Sequence, residues 1–112
     1  MVVGRHIIAE LYGVAPNLIA SEEQVKKVLE DISERVGFTK VGSMYKQFSP
    51  WGVTGVILIE ESHISIHTWP EYEQINFDVF TCGDVSQADT TFRCILEEFS
   101  PRSYRHYTLD RG

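Results

Sequence analysis

The stretch Val53–Gly83, VTGVILIEESHISIHTWPEYEQINFDVFTCG, decides the fold. Two apolar runs meet at Glu60-Glu61-Ser62-His63, and a third returns to end at Thr81-Cys82-Gly83. Alternation from His63 to Trp69 puts Ile64, Ile66 and Thr68 on one face and His63, Ser65, His67 and Trp69 on the other, as expected of a half-buried strand. With Pro70-Glu71-Tyr72-Glu73 as a four-residue hairpin loop, Trp69 pairs with Gln74. His67 then lies opposite Asn76, Ser65 opposite Asp78, and Glu61 opposite Cys82, so the register delivers a thiol to the Glu61-Ser62 bond. The same register matches Ile64 with Val79 and Ile66 with Phe77. A slip of one residue would move every side chain to the wrong face and scramble both sets.

Working outward, Gly4 to Tyr12 alternates as a strand ending at Gly13. Pro16 and Asn17 mark a loop, and Ser21 with Gln24 forms a capping box for a helix. Its apolar stripe is Val25, Val28, Leu29, Ile32 and Val36, and Gly37 is placed to end it. Strands are expected from Thr39 to Phe48 and from Val53 to Ile59, joined by Ser49-Pro50-Trp51-Gly52. After a turn at Gly83–Ser86, Gln87 to Phe99 reads as a second helix buried through Ala88, Phe92, Ile95, Leu96 and Phe99, with Cys94 off that stripe. Tyr104 to Leu109 supplies a last strand. This order predicts an α+β two-layer sandwich, an antiparallel sheet with both helices on one face. The other face carries His63, His67, Asp78 and Cys82, and water or a partner subunit must cover it.

A chain of 112 residues is one domain, 1–112, with a modest core, which favours sharing a surface with a second copy. The formal net charge of -6 offers no basic footprint for nucleic acid or an anionic membrane. No apolar run is long enough to span a bilayer, and the start lacks the features of a signal peptide. The expected location is the cytoplasm, where Cys82 and Cys94 are free thiols. His63 and His67 in a strand have no evident third ligand and there is no Cys-x-x-Cys pair, so no metal is expected.

Glu61-Ser62-His63, Ile66-His67-Thr68-Trp69-Pro70-Glu71-Tyr72, Phe80-Thr81-Cys82-Gly83, the opening Gly4-Arg5-His6 and Gly52-Val53-Thr54-Gly55-Val56 run in order through most of the chain. The pattern resembles the prokaryotic-type pyruvoyl-dependent S-adenosylmethionine decarboxylase proenzymes. The resemblance implies self-cleavage between Glu61 and Ser62 into 1–61 and 62–112. The Ser62 hydroxyl attacks its preceding carbonyl, the amide becomes an ester, and β-elimination leaves a pyruvoyl cofactor at residue 62. The implied base is His67, with the Thr54 hydroxyl assisting. Members carry serine where this chain has Thr54; the added methyl stiffens χ1, and slower cleavage is expected. The pyruvoyl ketone then condenses with the amine of S-adenosylmethionine as a Schiff base and accepts electrons as carbon dioxide leaves. Cys82 is the implied proton donor, since an ordinary thiol, with a pKa of about 8.5, keeps its proton at neutral pH. The product is an aminopropyl donor for polyamine synthesis. The expected assembly is a homodimer of cleaved protomers with sites at or near its interface.

For the substrate, the resemblance sets an aromatic residue at Phe48 against adenine and a glutamate at Glu71 against the ribose hydroxyls. From residue type alone, packing is the favoured reading of Phe48 and Trp51, and Glu71 reads as a solvated turn charge. Two alternatives stand beside the main reading. One is a pyruvoyl-dependent arginine or ornithine decarboxylase, whose substrate would need a carboxylate such as Glu10, Asp78 or Glu73. The other is an unprocessed binding or regulatory homologue.

Overall fold

The structure, a computed structural model, describes all residues from Met1 to Gly112. Its six strands are β1 (Gly4–Tyr12), β2 (Lys40–Gln47), β3 (Val53–Ile59), β4 (Ser62–Trp69), β5 (Gln74–Cys82) and β6 (Ser103–Arg111). Helix α1 (Glu22–Val36) lies between β1 and β2, and α2 (Ser86–Phe99) between β5 and β6. The strands form one antiparallel sheet in the order β2-β3-β4-β5-β1-β6. The first strand is therefore an inner one, flanked by β5 and β6, and the middle of the chain builds the other half of the sheet.

The β4–β5 register is the expected one: Trp69 faces Gln74, His67 faces Asn76, Ser65 faces Asp78, and Ile64 faces Val79. Two independent requirements fix it. A short 3-10 turn at Pro70–Tyr72 closes the hairpin, Glu73 taking the left-handed conformation at its end, and the pairing puts Ile64 and Ile66 at 1% and 0% exposure. Thr68 shares that buried face because its hydroxyl is used twice. It donates to the Ile19 carbonyl at 2.8 Å and accepts from the Val53 amide at 2.9 Å, so neither polar group is buried unpaired.

Both helices cover this face. Ser21 caps α1 by accepting from the Gln24 amide, and Gly37 at φ 92° ends it in the left-handed region that glycine tolerates. Val25, Leu29 and Ile32 of α1 and Ala88, Phe92, Ile95 and Phe99 of α2 join Ile7, Ala9, Leu11, Ile57, Ile64, Ile66, Phe77 and Val79 in one core. Gly55 serves a close approach: the ring of Tyr45 crosses it, and a Cβ there would lie 2.6 Å from a ring carbon. That placement lets the Tyr45 hydroxyl donate to Glu30 on α1 at 2.6 Å.

Three expectations need correction. Thr39 and Phe48 lie outside β2, while β6 runs longer than Tyr104–Leu109, over Ser103–Arg111, with every residue exposed. Cys94 is half-buried and packs against the core. The buried arc of α2 is wider than its apolar stripe because Thr91, fully buried, satisfies its own hydroxyl on the Gln87 carbonyl at 2.7 Å.

Candidate active site

The expected site residues fall into two separate groups at opposite ends of β3 and β4. The first is at the β3–β4 turn, where Glu60 and Glu61 connect the strands. Here the Cys82 thiol donates to the Glu61 carbonyl at 3.1 Å, and the Cys82 amide donates to the Ser62 hydroxyl at 3.1 Å. One residue thus touches both sides of the Glu61-Ser62 bond. The β4–β5 ladder itself ends at His63–Phe80, so Cys82 reaches the turn by these two hydrogen bonds rather than as a ladder partner of Glu61. A cavity of about 220 Å³ opens beside the turn, lined among others by Phe38, Glu60, Ser62, Cys82 and Gln87.

The second group is at the other end of the same strands. Thr54 on β3 faces His67 on β4, and its hydroxyl lies 3.0 Å from His67 Nδ1. With Nδ1 engaged, Nε2 is the nitrogen left to exchange a proton. Phe48 follows β2 at this end, its amide donating to the Gly52 carbonyl, with its side chain 47% exposed. Glu71 sits in the β4–β5 turn and lines a cavity of about 280 Å³ with Trp51, Pro70 and Pro16. Within one chain the two groups do not meet. At roughly 3.3 Å per residue, the five residues from Ser62 to His67 cover about 16 Å, far beyond side-chain reach.

Between the groups lies a cluster that the sequence reading missed. Asp78 Oδ2 is 2.7 Å from His6 Nε2 and 3.3 Å from His63 Nε2, and Asp78 Oδ1 accepts from the Ser65 hydroxyl. Ser65 was placed opposite Asp78 by the hairpin register, but His6 arrives from β1, whose pairing with β5 a single hairpin does not reveal. The sequence shows no third ligand for a His63–His67 pair; in the structure the neighbours of His63 are Asp78 and His6, and His67 is not among them.

The carboxylates considered for a basic substrate are already engaged. Glu10 accepts from Arg105 at 2.7 Å and from Tyr12 at 2.6 Å, and these bonds hold its carboxyl below the ordinary glutamate range. Glu73 pairs with Arg102 at 3.1 Å, and Asp78 is committed to the cluster above. At the edge of the sheet Arg5 bridges Asp110 and Asp89, each at 2.7 Å. That bridge lowers the Asp110 carboxyl and raises the guanidinium.

No helix is long and apolar enough to cross a membrane. Comparison with known proteins bears on what this geometry serves. The family described as S-adenosylmethionine decarboxylase matches residues 5–112. The S-adenosylmethionine decarboxylase proenzyme of Archaeoglobus fulgidus is 62% identical over 112 residues, covering 100% of both chains. The proenzyme of a Hydrogenobaculum species is 49% identical over 110 residues, covering 98% of this chain and 82% of that one. The crystal structure of the adenosylmethionine decarboxylase from Aquifex aeolicus superposes with a TM-score of 0.96 at 40% identity, over 99% of this chain and 92% of that chain. With a fold this close, a family match over residues 5–112 and relatives this similar over most of their length, the chain belongs to the S-adenosylmethionine decarboxylase family.

Proposed function

We propose that the protein is a self-processing decarboxylase of S-adenosylmethionine, cleaved between Glu61 and Ser62 and assembled as a homodimer in the cytoplasm. The observation that carries this reading is the pair of bonds from Cys82 to the Glu61 carbonyl and the Ser62 hydroxyl. The thiol polarises the carbonyl, and the amide occupies a lone pair of the hydroxyl while leaving its proton free to go to a base. Attack by Ser62 Oγ turns the amide into an ester. Removal of the residue 62 Cα proton then expels the Glu61 carboxylate, and hydrolysis with loss of ammonia leaves a pyruvoyl group on the second fragment.

His67, with Thr54 accepting from Nδ1–H, is the base we assign to processing. Since it sits about 16 Å along the strand from its own Ser62, it acts on the Ser62 of a second copy. A two-fold axis that sets the turn end of one sheet against the Thr54–His67 end of the other completes two sites at once, and a two-fold pair is the commonest soluble assembly. Cavity size supports the same division. The spaces at the two ends, about 220 and 280 Å³, each fall short of the roughly 300–1,000 Å³ usual for ligand pockets.

The pyruvoyl group supplies an electrophilic ketone that binds a substrate amine and accepts the electron pair released with carbon dioxide. Around it, Cys82 Sγ holds a proton beside residue 62 and returns it to the substrate carbon. Phe48 offers an exposed ring for adenine, and Glu71 offers a carboxylate for the ribose hydroxyls, both from the partner's side of the site. The decarboxylated product serves as an aminopropyl donor for polyamine synthesis. The test is carbon dioxide release from carboxyl-labelled S-adenosylmethionine, arginine and ornithine by fully matured protein. Release from S-adenosylmethionine alone is expected, reduced in Phe48→Ala and Glu71→Ala. Preference for a basic amino acid, unaffected by either substitution, would overturn the assignment.

A further inference from the structure

We infer that His6, His63 and Asp78 form a binding site for a divalent transition metal of the zinc class. The three side chains come from β1, β4 and β5, three neighbouring strands of the sheet. One donor atom from each, an imidazole nitrogen of His6 and of His63 and a carboxylate oxygen of Asp78, lies within 4.8 Å of the others. In a tetrahedral site with metal–ligand bonds of about 2.0–2.1 Å, neighbouring donors stand roughly 3.3 Å apart. The His63–Asp78 edge already measures 3.3 Å, and the His6–Asp78 edge, at 2.7 Å, needs to open by a fraction of an ångström.

The surroundings resemble the support that ligating groups ordinarily have. Ser65 donates to Asp78 Oδ1 and so fixes the carboxylate with Oδ2 turned to the two imidazoles. Such outer hydrogen bonds orient a ligand and tune affinity. Phe80 packs against both rings, with centroids 5.9 Å from His6 and 6.0 Å from His63, which gives the site one dry wall. The donor set decides the class of ion. Two imidazole nitrogens with one carboxylate suit zinc, cobalt, nickel or copper, whereas magnesium and calcium prefer oxygen alone. Three protein ligands leave a fourth position for water or a group from outside the chain. None of the three ligands is Thr54, His67 or Cys82, although His67 lines a cavity with His6 and Asp78, and His63 directly follows Ser62. A bound ion therefore tethers the residue after the scissile bond to β1 and β5.

The experiment is a titration of the full chain with cobalt(II), which reports on coordination through its visible absorption, repeated with zinc(II) by calorimetry. One ion per chain is expected. Asp78→Asn and His6→Gln should each weaken binding by more than the tenfold or so expected for Ser65→Ala, an outer-shell change, while Cys82→Ala leaves it unaltered. In the wild type, cobalt(II) should displace or broaden the ring signals of His6 and His63 and spare those of His67 and His106, a readout that needs no variant to fold. Absence of saturable binding, binding that survives Asp78→Asn, or binding lost with Cys82→Ala would each overturn the site.

Discussion

At the β3–β4 turn, Glu61 and Ser62 are held by a single residue, Cys82, through two hydrogen bonds of 3.1 Å each. At the far end of the same strands, Thr54 and His67 hold one another at 3.0 Å and touch neither Ser62 nor Cys82. In the reading proposed above, the turn end contains the nucleophile Ser62, the Glu61 carbonyl it attacks and the Cys82 thiol, but not the histidine assigned as the base. In the same reading the other end contains His67 as that base with its Thr54 partner, together with the Phe48 ring and the Glu71 carboxylate assigned to the nucleoside. The contrast teaches that proximity in sequence misleads on a strand. His67 follows Ser62 by five residues, a rise of only about 7.5 Å in a helix, but in a strand this sets them about 16 Å apart.

Breaking the turn end has the largest expected effect. Ser62→Ala removes the attacking oxygen and should leave the chain whole by intact mass after prolonged incubation, with no decarboxylation. Cys82→Ala should still yield fragments 1–61 and 62–112, more slowly without the thiol on the Glu61 carbonyl, but lose about a hundred- to ten-thousandfold in turnover, the usual value of a positioned general acid. Wild-type turnover with correct protonation of the product would contradict the role of that thiol.

A core substitution separates scaffold from chemistry. Ile66 is fully buried on the helix side, between Ser65 and His67. Ile66→Ala should cost about 2–5 kcal/mol in denaturant unfolding, without altering where the chain is cleaved. Smaller still is the acid-side effect of the paired carboxylates. Glu10 and Asp110 have lowered folded-state pKa values, through Arg105 and Tyr12 and through Arg5 respectively. Their contribution is therefore present above the unfolded carboxylate value, about 4, and disappears as pH falls through the lower folded value. Glu10→Gln should flatten the loss of thermal stability in that window and change little at neutral pH. Thr54→Ser, which removes a methyl and frees χ1, should speed cleavage by a few-fold, read as the rate of fragment appearance.

Much of this comparison was legible in the chain itself. The β4–β5 register followed from one loop length and from the agreement of Ile64 with Val79 and Ile66 with Phe77. The caps at Ser21 and Gly37 bounded α1 through local chemistry. What could not be read was the order of distant strands. Only the insertion of β1 between β5 and β6 brings His6 to Asp78, and nothing in alternation says which edge a first strand will join. Nor did the spacing of Glu-Ser-His, His67 and Cys82 reveal that the pattern divides between two ends of one sheet. A periodic pattern reports faces, whereas the distance along a strand has to be counted in residues.

The most direct measurement mixes two inactive forms. Ser62→Ala keeps His67 but has no nucleophile, and His67→Ala keeps Ser62 but has no base. Coexpressed with tags that differ in mass, they would form mixed pairs in which the His67→Ala chain meets an intact His67 from its companion. The account predicts that the His67→Ala chain is cleaved between Glu61 and Ser62 in the mixture and stays whole by itself, with decarboxylation of S-adenosylmethionine appearing only in the mixture. A His67→Ala chain that is cleaved equally well without its companion, or that remains whole in isolated mixed dimers, would contradict a site built from two copies.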